Sequence, residues 1–420
     1  MIAEILSTGE EIRSGAIADT NSAYIAQKLE ESGVEVRRHS CVGDDIEAIV
    51  SILNEIGRRA DTAVVTGGLG PTVDDLTAVA TAKAAGVELV LDRPALDSIK
   101  AYFKALKRSM NPSNEKQALL PKGAACLLNP VGTAPGFSLK IDKCLFFFLP
   151  GVPSEMRLML SDKVIPRLEA LQGKDKEYSL VKTIATFGLT ESATGEKLAG
   201  FETQFPEIKL GLRVKFPEIH VKFYGRDKDE QALAGQLEAA SDWVVQQLGK
   251  KVLSVNGSSM EAVIGQCLSR KKATIAVAES CTGGLISHWL TNVTGSSNYF
   301  LYAGVAYSND AKMQVLGVSP DTLRQYGAVH EETVKEMAVS ARRIAGATYG
   351  LSTSGIAGPD GGTDEKPVGT VCIGLATPDA VVGRRFYFPF GQRSRNKEIF
   401  AMSALDMLRR ELLAENHTVS

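Results

Sequence analysis

The chain has 420 residues, 44% of them hydrophobic and 23% charged, with a formal net charge of −2. That length exceeds one ordinary core and calls for two or three domains, and the balance is that of a globular protein, not a disordered or fibrous one. The near-neutral charge argues against nucleic acid held by bulk electrostatics.

No basic stretch with a long apolar segment opens the sequence, so no signal peptide is expected. The most apolar run, Cys144 to Leu149, falls far short of the roughly 20 residues of a membrane helix and reads as a buried strand. The six cysteines lie far apart, without a C-x-x-C pair or a histidine at zinc spacing. A reduced, cytoplasmic protein without structural zinc is expected.

From Met1 to Leu171, strand-like runs alternate with helical patterns. IAEILSTG predicts a strand ending in a turn, and Asn21 to Ser32 a helix. VEVRRHSCVG predicts the next strand, Ile46 to Arg59 a helix, and DTAVVTGGLG a strand opening into a glycine-rich loop. Such alternation implies β-α-β units, a parallel sheet with helices on both faces, and ligands at the carboxyl ends of the strands.

Residues 172–252 read as a small α+β module. YSLVKTIATFG, IKLGLRV and EIHVKFYGR predict strands, and Glu191 to Ala199 and 229–248 predict helices. LQGKDKEY reads as the linker into this module, and the turn Val255 to Ser258 as the linker out. Over 253–420 the β-α alternation resumes. Met260 to Ser269 predicts a helix, TIAVAES a strand, GGLISHWLTNV a helix and Tyr302 to Tyr307 a strand. Helix 331–345, strands 348–353, 369–376 and 381–388, and a helix from Asn396 complete the chain.

The most informative stretch is AESCTGG, Ala278 to Gly284. A strand delivers Ser280 at its end, and two glycines open the helix that follows. Unpaired N–H groups at such a helix start, from Thr282, Gly283 and Gly284, suit an oxyanion or a phosphate. Ser280 could equally cap the helix, as serine often does. YSNDAK, Tyr307 to Lys312, places a hydroxyl and an amine after another strand. SGIAGPDGG, with Ser354, Gly355 and Gly358, supplies an anion-binding loop after a third. The three loops are expected to converge on one rim of one sheet.

A serine nucleophile needs a base. His288 lies about 12 Å further along a helix and points away, His330 reads as a helix start, and no G-x-S-x-G elbow occurs. Lys312 remains, either as a desolvated base or as an ordinary solvated lysine. Cys281 is the rival nucleophile and would need a lowered pKa.

AESCTGG, GSSNYF, YSNDAK, GAVH and SGIAGPDGG with KPVGTV resemble the C-terminal domain of the CinA family, the nicotinamide-nucleotide amidohydrolases, over roughly 160 residues. The resemblance implies deamidation of nicotinamide mononucleotide by a serine–lysine mechanism that needs no cofactor. Ser280 matches the nucleophile and Lys312 the base. Tyr307, counted as the third catalytic residue, falls with Ser297 and Ser354 in pocket-lining motifs, and Arg393 in GQRSR is a phosphate anchor or a surface arginine. His330 stands where the family usually has serine.

In TGGLGPTVDDLT, a strand enters a glycine loop with Gly68 and Gly70, followed by the paired acids Asp74 and Asp75. Those acids could hold a divalent cation beside a phosphorylated ligand, or merely favour a helix start. STGEEIRSGAIADTN, GGLGPTVDDLT, NPVGTAPGF and LPGVPSEM resemble the MoaB/MogA-like molybdopterin-binding fold at the front of CinA proteins.

The resemblance implies a three-layer α/β domain over 1–171 with metal-dependent ADP-ribose pyrophosphatase activity. Glu10, Asp19, Asn21, Asp74 and Asp75 would surround a diphosphate and a metal ion of unknown identity; Glu10-Glu11 stands where Asp-Glu is usual. The module at 172–252 resembles the family's KH-like domain but lacks a GXXG loop suited to RNA. An α/β amidase domain over 253–420 completes the expected architecture, with a homodimer and no nucleic-acid or membrane partner. The competing expectations are a competence or DNA-damage factor acting through protein partners, and a molybdopterin-binding protein.

Overall fold

In the computed structural model, which describes residues 1–173 and 177–414, the opening apolar run forms β1 (Ile2–Thr8). The chain continues through α1 (Glu10–Arg13), α2 (Thr20–Glu31), β2 (Glu35–Val42), α3 (Ile46–Arg59) and β3 (Thr62–Thr66). After the glycine loop come α4 (Thr77–Ala85), β4 (Leu89–Leu91), α5 (Arg93–Ala105), β5 (Leu119–Pro121) and β6 (Ala125–Leu127). Then follow β7 (Gly136–Ile141), β8 (Cys144–Leu149), α6 (Pro153–Met159) and α7 (Ile165–Gln172).

The main sheet has the order β2-β1-β3-β8-β7-β6. Alternate residues of the same strands feed two cores, because successive side chains point to opposite faces. Ile5, Val64 and Phe147 pack with Ile25 and Leu29 of α2 and Met156 of α6. Leu6, Val65 and Phe146 pack with Ile49, Leu53 and Ile56 of α3. Helices thus cover both faces, giving three layers. The first four strands are parallel, but β7 and β6 run antiparallel, so the expected parallel sheet is in fact mixed. Only Asp142 and Lys143 separate β7 from β8, enough for a hairpin but not for a crossover.

The middle of the chain holds β9 (Tyr178–Phe187), α8 (Glu191–Lys197), α9 (Phe201–Gln204), β10 (Lys209–Lys215), β11 (Glu218–Asp227), α10 (Glu230–Leu248) and β12 (Val252–Ser254). Its sheet has the order β10-β11-β9-β12. Of the linker LQGKDKEY, residues 174–176 lie outside the described residues. The chain divides into two units, Met1–Val181 with Tyr224–Leu237, and Lys182–Phe223 with Glu238–Ser420.

The last part contains α11 (Met260–Lys271), β13 (Ile275–Glu279), α12 (Leu285–Thr291), β14 (Phe300–Val305), α13 (Asn309–Gln314) and α14 (Pro320–Tyr326). It ends with α15 (Glu331–Ala345), β15 (Tyr349–Gly355), β16 (Thr370–Ala376), β17 (Val381–Tyr387) and α16 (Arg393–Ala414). The sheet order is β14-β13-β15-β16-β17, with β14, β13 and β15 parallel and β16 and β17 antiparallel. Helices α11, α12 and α16 cover the face carrying Ile275 and Val277, and α15 covers the face carrying Ala276 and Ala278.

Helix α15 sits unusually close to the sheet. Gly350 of β15, Gly374 of β16 and Gly383 of β17 lie beneath the carbonyls of Ala338, Val334 and Glu331, and a Cβ at each would fall inside contact distance of that oxygen. The spacing of 331, 334 and 338 is one helix face, so three strands supply a glycine trough for it. No described helix is long and apolar enough to cross a membrane.

Candidate active site

Strand β13 ends at Glu279, which puts Ser280 at the carboxyl rim of the parallel strands. The Ser280 N–H donates to the Thr353 carbonyl of β15 at 3.0 Å. The chain then turns through Gly283 and Gly284, at φ of 60° and 91°, where a side chain would be strained. Helix α12 begins at Leu285 and takes no cap from Ser280, which removes the capping alternative. Its cap is Glu279. That fully buried carboxylate accepts from the N–H groups of Gly284 at 2.9 Å, Ile286 at 3.2 Å and Ser287 at 2.9 Å, and from the Ser287 hydroxyl at 2.5 Å. Sequence reasoning missed this residue, although an acid just before a glycine-opened helix is a recognisable signal.

Lys312 comes from α13, whose start is capped by the Ser308 hydroxyl accepting from the Ala311 N–H at 3.0 Å. Its side chain is 1% exposed. Its Nζ lies 3.0 Å from Ser280 Oγ, 2.9 Å from the Ala306 carbonyl and 3.2 Å from the Tyr307 carbonyl. The two carbonyls can only accept. In the neutral amine they therefore take both hydrogens and leave the lone pair for the Ser280 hydroxyl. Burial lowers the Lys312 pKa from its ordinary value, opposed only by the Cys281 thiol nearby, and among the described residues no carboxylate pairs with it. The rival nucleophile is disfavoured by the same physics: burial pushes the Cys281 thiol up to about 12.

The two candidate histidines stay out of the site. His288 is bonded to Asn292 at 3.3 Å on an exposed stretch of α12. His330 caps α15, accepting from the Glu332 N–H at 3.1 Å, as its position predicts.

Of the expected oxyanion donors, two are spoken for. The Gly283 N–H donates to the Ser280 carbonyl at 3.1 Å and the Gly284 N–H to Glu279. Among the described residues, no other residue accepts from the N–H groups of Cys281 and Thr282. The Thr282 side chain is a buried brace, its hydroxyl 2.8 Å from Thr353 Oγ1. Ser354 is buried directly after Thr353, and Gly355 ends the strand against Val371 of β16.

Tyr307 is 60% exposed. Its hydroxyl accepts from Arg393 Nη2 at 2.9 Å, while Arg393 Nη1 donates to the Gly358 carbonyl at 2.6 Å. Arg393 thus ties the loop after β14 to the glycine loop after β15, and Asn396 fixes that loop again by donating to the Ala357 carbonyl at 3.0 Å. Lys397, one turn beyond Arg393, was not expected. Its Nζ lies 3.4 Å from where a Cβ on Gly283 would sit, and its spacing from Arg393 is the i, i+4 of one helix face. Ser297 is a correction. It lies exposed in the short turn before β14, and the six residues of β14 (Phe300–Val305) carry the chain away from it to the opposite rim, about 17 Å at 3.3 Å per residue.

In the N-terminal unit, a cavity of about 380 Å³ opens beside the loop carrying Gly68 and Gly70 and is walled by the carboxylates of Glu11, Asp44, Asp74, Asp75 and Glu155. Two expected residues do not line it. Glu10 is ion-paired to Arg13. Asp19 caps α2 and accepts from Ser7 at 2.6 Å; burial acts to raise its pKa, but the bonds from Ser22 and Ser7 outweigh it and lower it. Glu11 and Asp44 take their places.

Asp75 accepts from the Thr72 N–H at 2.8 Å and from the Thr72 hydroxyl, and Leu76, not either aspartate, stands at the α4 cap. Burial first, and then the charges of Glu11, Asp74 and Glu10, raise the Asp44 pKa. Asn21 donates to the Gly151 carbonyl at 2.7 Å, while its buried Oδ1 has no partner. Among the described residues, no three His, Cys, Asp or Glu side chains converge at metal spacing. The wall fits an ion that takes one or two carboxylates and completes its shell with water and phosphate oxygens, as magnesium does.

Comparison with known proteins agrees with both halves. Residues 257–412 match the family model described as the CinA C-terminal domain, and residues 4–170 match that of a probable molybdopterin binding domain. A CinA-like protein of Desulfosudis oleivorans is 57% identical, covering 98% of this chain and 100% of its own. Another from Desulforapulum autotrophicum is 46% identical over 99% of each. A crystal structure of "the protein CinA with unknown function" from Thermoplasma acidophilum is 36% identical, covering 38% of this chain and 94% of its own, at a TM-score of 0.36. The chain belongs to the CinA family, with a MoaB/MogA-like domain ahead of the CinA C-terminal domain.

Proposed function

We propose that the C-terminal domain hydrolyses the carboxamide of nicotinamide mononucleotide to nicotinic acid mononucleotide and ammonia. The observation that carries this reading is the 3.0 Å approach of Lys312 Nζ to Ser280 Oγ, in surroundings that favour the neutral amine. Ser280 Oγ bonds to the carboxamide carbon as its proton passes to Lys312. The oxyanion falls to the N–H groups of Cys281 and Thr282, from which no other described residue accepts. The tetrahedral adduct collapses, the C–N bond breaks, and Lys312 returns the proton to the leaving nitrogen. Water then attacks the ester, again losing its proton to Lys312; the second adduct collapses, the bond from the acyl carbon to Ser280 Oγ breaks, and Lys312 returns the proton to Ser280 Oγ as the acid departs. The cycle closes with these groups and water, and the cationic pyridinium assists by drawing electrons from the carbonyl. The test is ammonia release from the mononucleotide by purified protein; an inactive wild type overturns the reading.

The phosphate of this substrate suits Arg393 and Lys397, which the structure places on successive turns of α16 beside Tyr307 and Gly283. Charge-assisted bonds of this kind contribute about 1.5–3 kcal/mol. Replacing either residue with alanine is expected to raise the KM for the mononucleotide by roughly tenfold to a hundredfold. Hydrolysis of phosphate-free nicotinamide riboside should stay within about twofold. Equal losses on both substrates would remove the phosphate assignment.

A second activity is favoured by the cavity of the N-terminal unit, metal-dependent hydrolysis of a diphosphate such as ADP-ribose. Asp74 and Asp44 would hold the ion, which would offset the charge of the diphosphate, and the loop through Gly68 and Gly70 would give its N–H groups to phosphate oxygens. Asp74→Asn and Asp44→Asn are each expected to lower magnesium- or manganese-dependent release of AMP from ADP-ribose at least about a hundredfold, the order of a key polar group lost from a reaction site. Ammonia release should be unaffected. AMP release that survives both substitutions, or survives a chelator, would sink the assignment.

A further inference from the structure

We infer that Glu279 is a positioning residue for the acyl transfer, its carboxylate holding the Ser280–Gly284 turn so that the Cys281 and Thr282 N–H groups face the developing oxyanion. The inference rests on the serine–lysine reading above. Burying a carboxylate is costly unless it is bound on all sides, and among the described residues Glu279 has no cationic partner. It takes its donors instead from Gly284, Ile286 and Ser287. Capping α12 alone would need only a serine or aspartate at its first position. A glutamate reaching from before the nucleophile instead joins the two ends of the turn, with Ser280, Cys281 and Thr282 between them.

The inside of the turn is held as well. Gly283 donates back to the Ser280 carbonyl at 3.1 Å, and the Thr282 hydroxyl meets Thr353 at 2.8 Å. Two N–H groups are left over, those of the two residues that directly follow the nucleophile. The main chain of the same residue serves the base. The Glu279 carbonyl accepts from the Ala306 N–H at 2.9 Å, and the Ala306 carbonyl accepts from Lys312 at 2.9 Å. One residue therefore sets both partners of the dyad. The donors at the start of α12 are also consumed by the protein's own carboxylate, which directs the substrate phosphate to the α16 side.

The experiment uses the full chain and two reactions. Glu279→Gln keeps the size but turns an NH2 toward donors. It is expected to lower kcat for ammonia release about a hundredfold, the loss typical of a displaced oxyanion donor, with KM changed less than about threefold. Ser287→Ala, which removes one of the four donors, should lower kcat only a few-fold, and serves if the glutamine variant folds poorly. Acylation of Ser280 by p-nitrophenyl acetate, followed by nitrophenolate release and by mass at Ser280, reports on the same donors whatever the natural amide. It should slow in parallel, with one equivalent of serine still acylated.

If the wild type is acylated at Ser280 but releases no ammonia from the mononucleotide, the substrate reading fails and the acylation arm alone judges Glu279. Acylation and turnover within threefold of wild type in Glu279→Gln overturn the inference. So does a fall in acylated fraction matching the fall in rate, which is the mark of a purely structural role. A wild-type Ser280 that the ester never acylates overturns it together with the dyad.

Discussion

Lys312→Met should reduce ammonia release by at least about 10⁴-fold, the scale set by removing one member of a serine-based catalytic unit. Methionine fills the buried space of a side chain that is 1% exposed but offers no lone pair to Ser280. Lys312→Arg should be equally inactive, because guanidinium does not lose its proton in proteins. The pH dependence has a definite sign. Burial lowers the Lys312 pKa from 10.5, and only the neutral amine accepts a proton. The rate should therefore climb about tenfold per pH unit below that lowered value and level off above it.

Stability follows the same proton. Between the lowered folded value and 10.5 the unfolded chain binds more protons than the folded one, so stability rises with pH across that window. Lys312→Met should abolish this slope along with the activity. A variant keeping more than about 1% of the rate, against the loss of about 10⁴-fold or more expected of a catalytic unit, or an inflection at the ordinary lysine value, would refute the base assignment.

The second large effect concerns packing. Gly374→Ala puts a methyl group between β16 and α15, against the Val334 carbonyl and Ser352 Oγ. Neither neighbour yields cheaply. The Val334 carbonyl belongs to the helix backbone, and it accepts from the Ser352 hydroxyl at 2.6 Å. Such overpacking costs about 1–3 kcal/mol and sometimes more, and the backbone clash puts this site at about 3 kcal/mol. Gly391→Ala, with nothing within 4 Å of the new atom, should change stability by less than about 0.5 kcal/mol. Urea unfolding followed by tryptophan fluorescence and by loss of activity compares the two. Equal midpoints would mean that α15 does not rest on the glycine trough.

Strong periodicity made the larger elements legible. The helices at 46–59 and 331–345 lie within the predicted bounds, and the apolar run of β8 spans Cys144–Leu149 as read. Short elements such as α13 and α14 gave no signal, being too brief for an apolar stripe to repeat. The antiparallel halves of both sheets were available in loop lengths, since the four residues between β16 and β17 exclude a crossover.

At the site, Ser280 and Lys312 were readable because each follows a strand of one rim. Glu279 was hidden because a strand residue is ordinarily read for its face and not for what it reaches beyond the strand end. Glu10 and Glu11 differ by a single step of a four-residue helix, and that step decides which faces the cavity. Ser297 was grouped with the pocket by its motif, although motif proximity does not report which rim a turn occupies.

Strand β14, which leads to the lysine, is one of the two edge strands of its sheet and is laddered on one side only, by β13. A marginal strand opens at lower free energy than an interior one. Gentle warming should therefore part amine from hydroxyl while the central strands stay paired. Catalysis would then fade below the melting temperature and return on cooling, a reversible thermal cut-off set by a single strand.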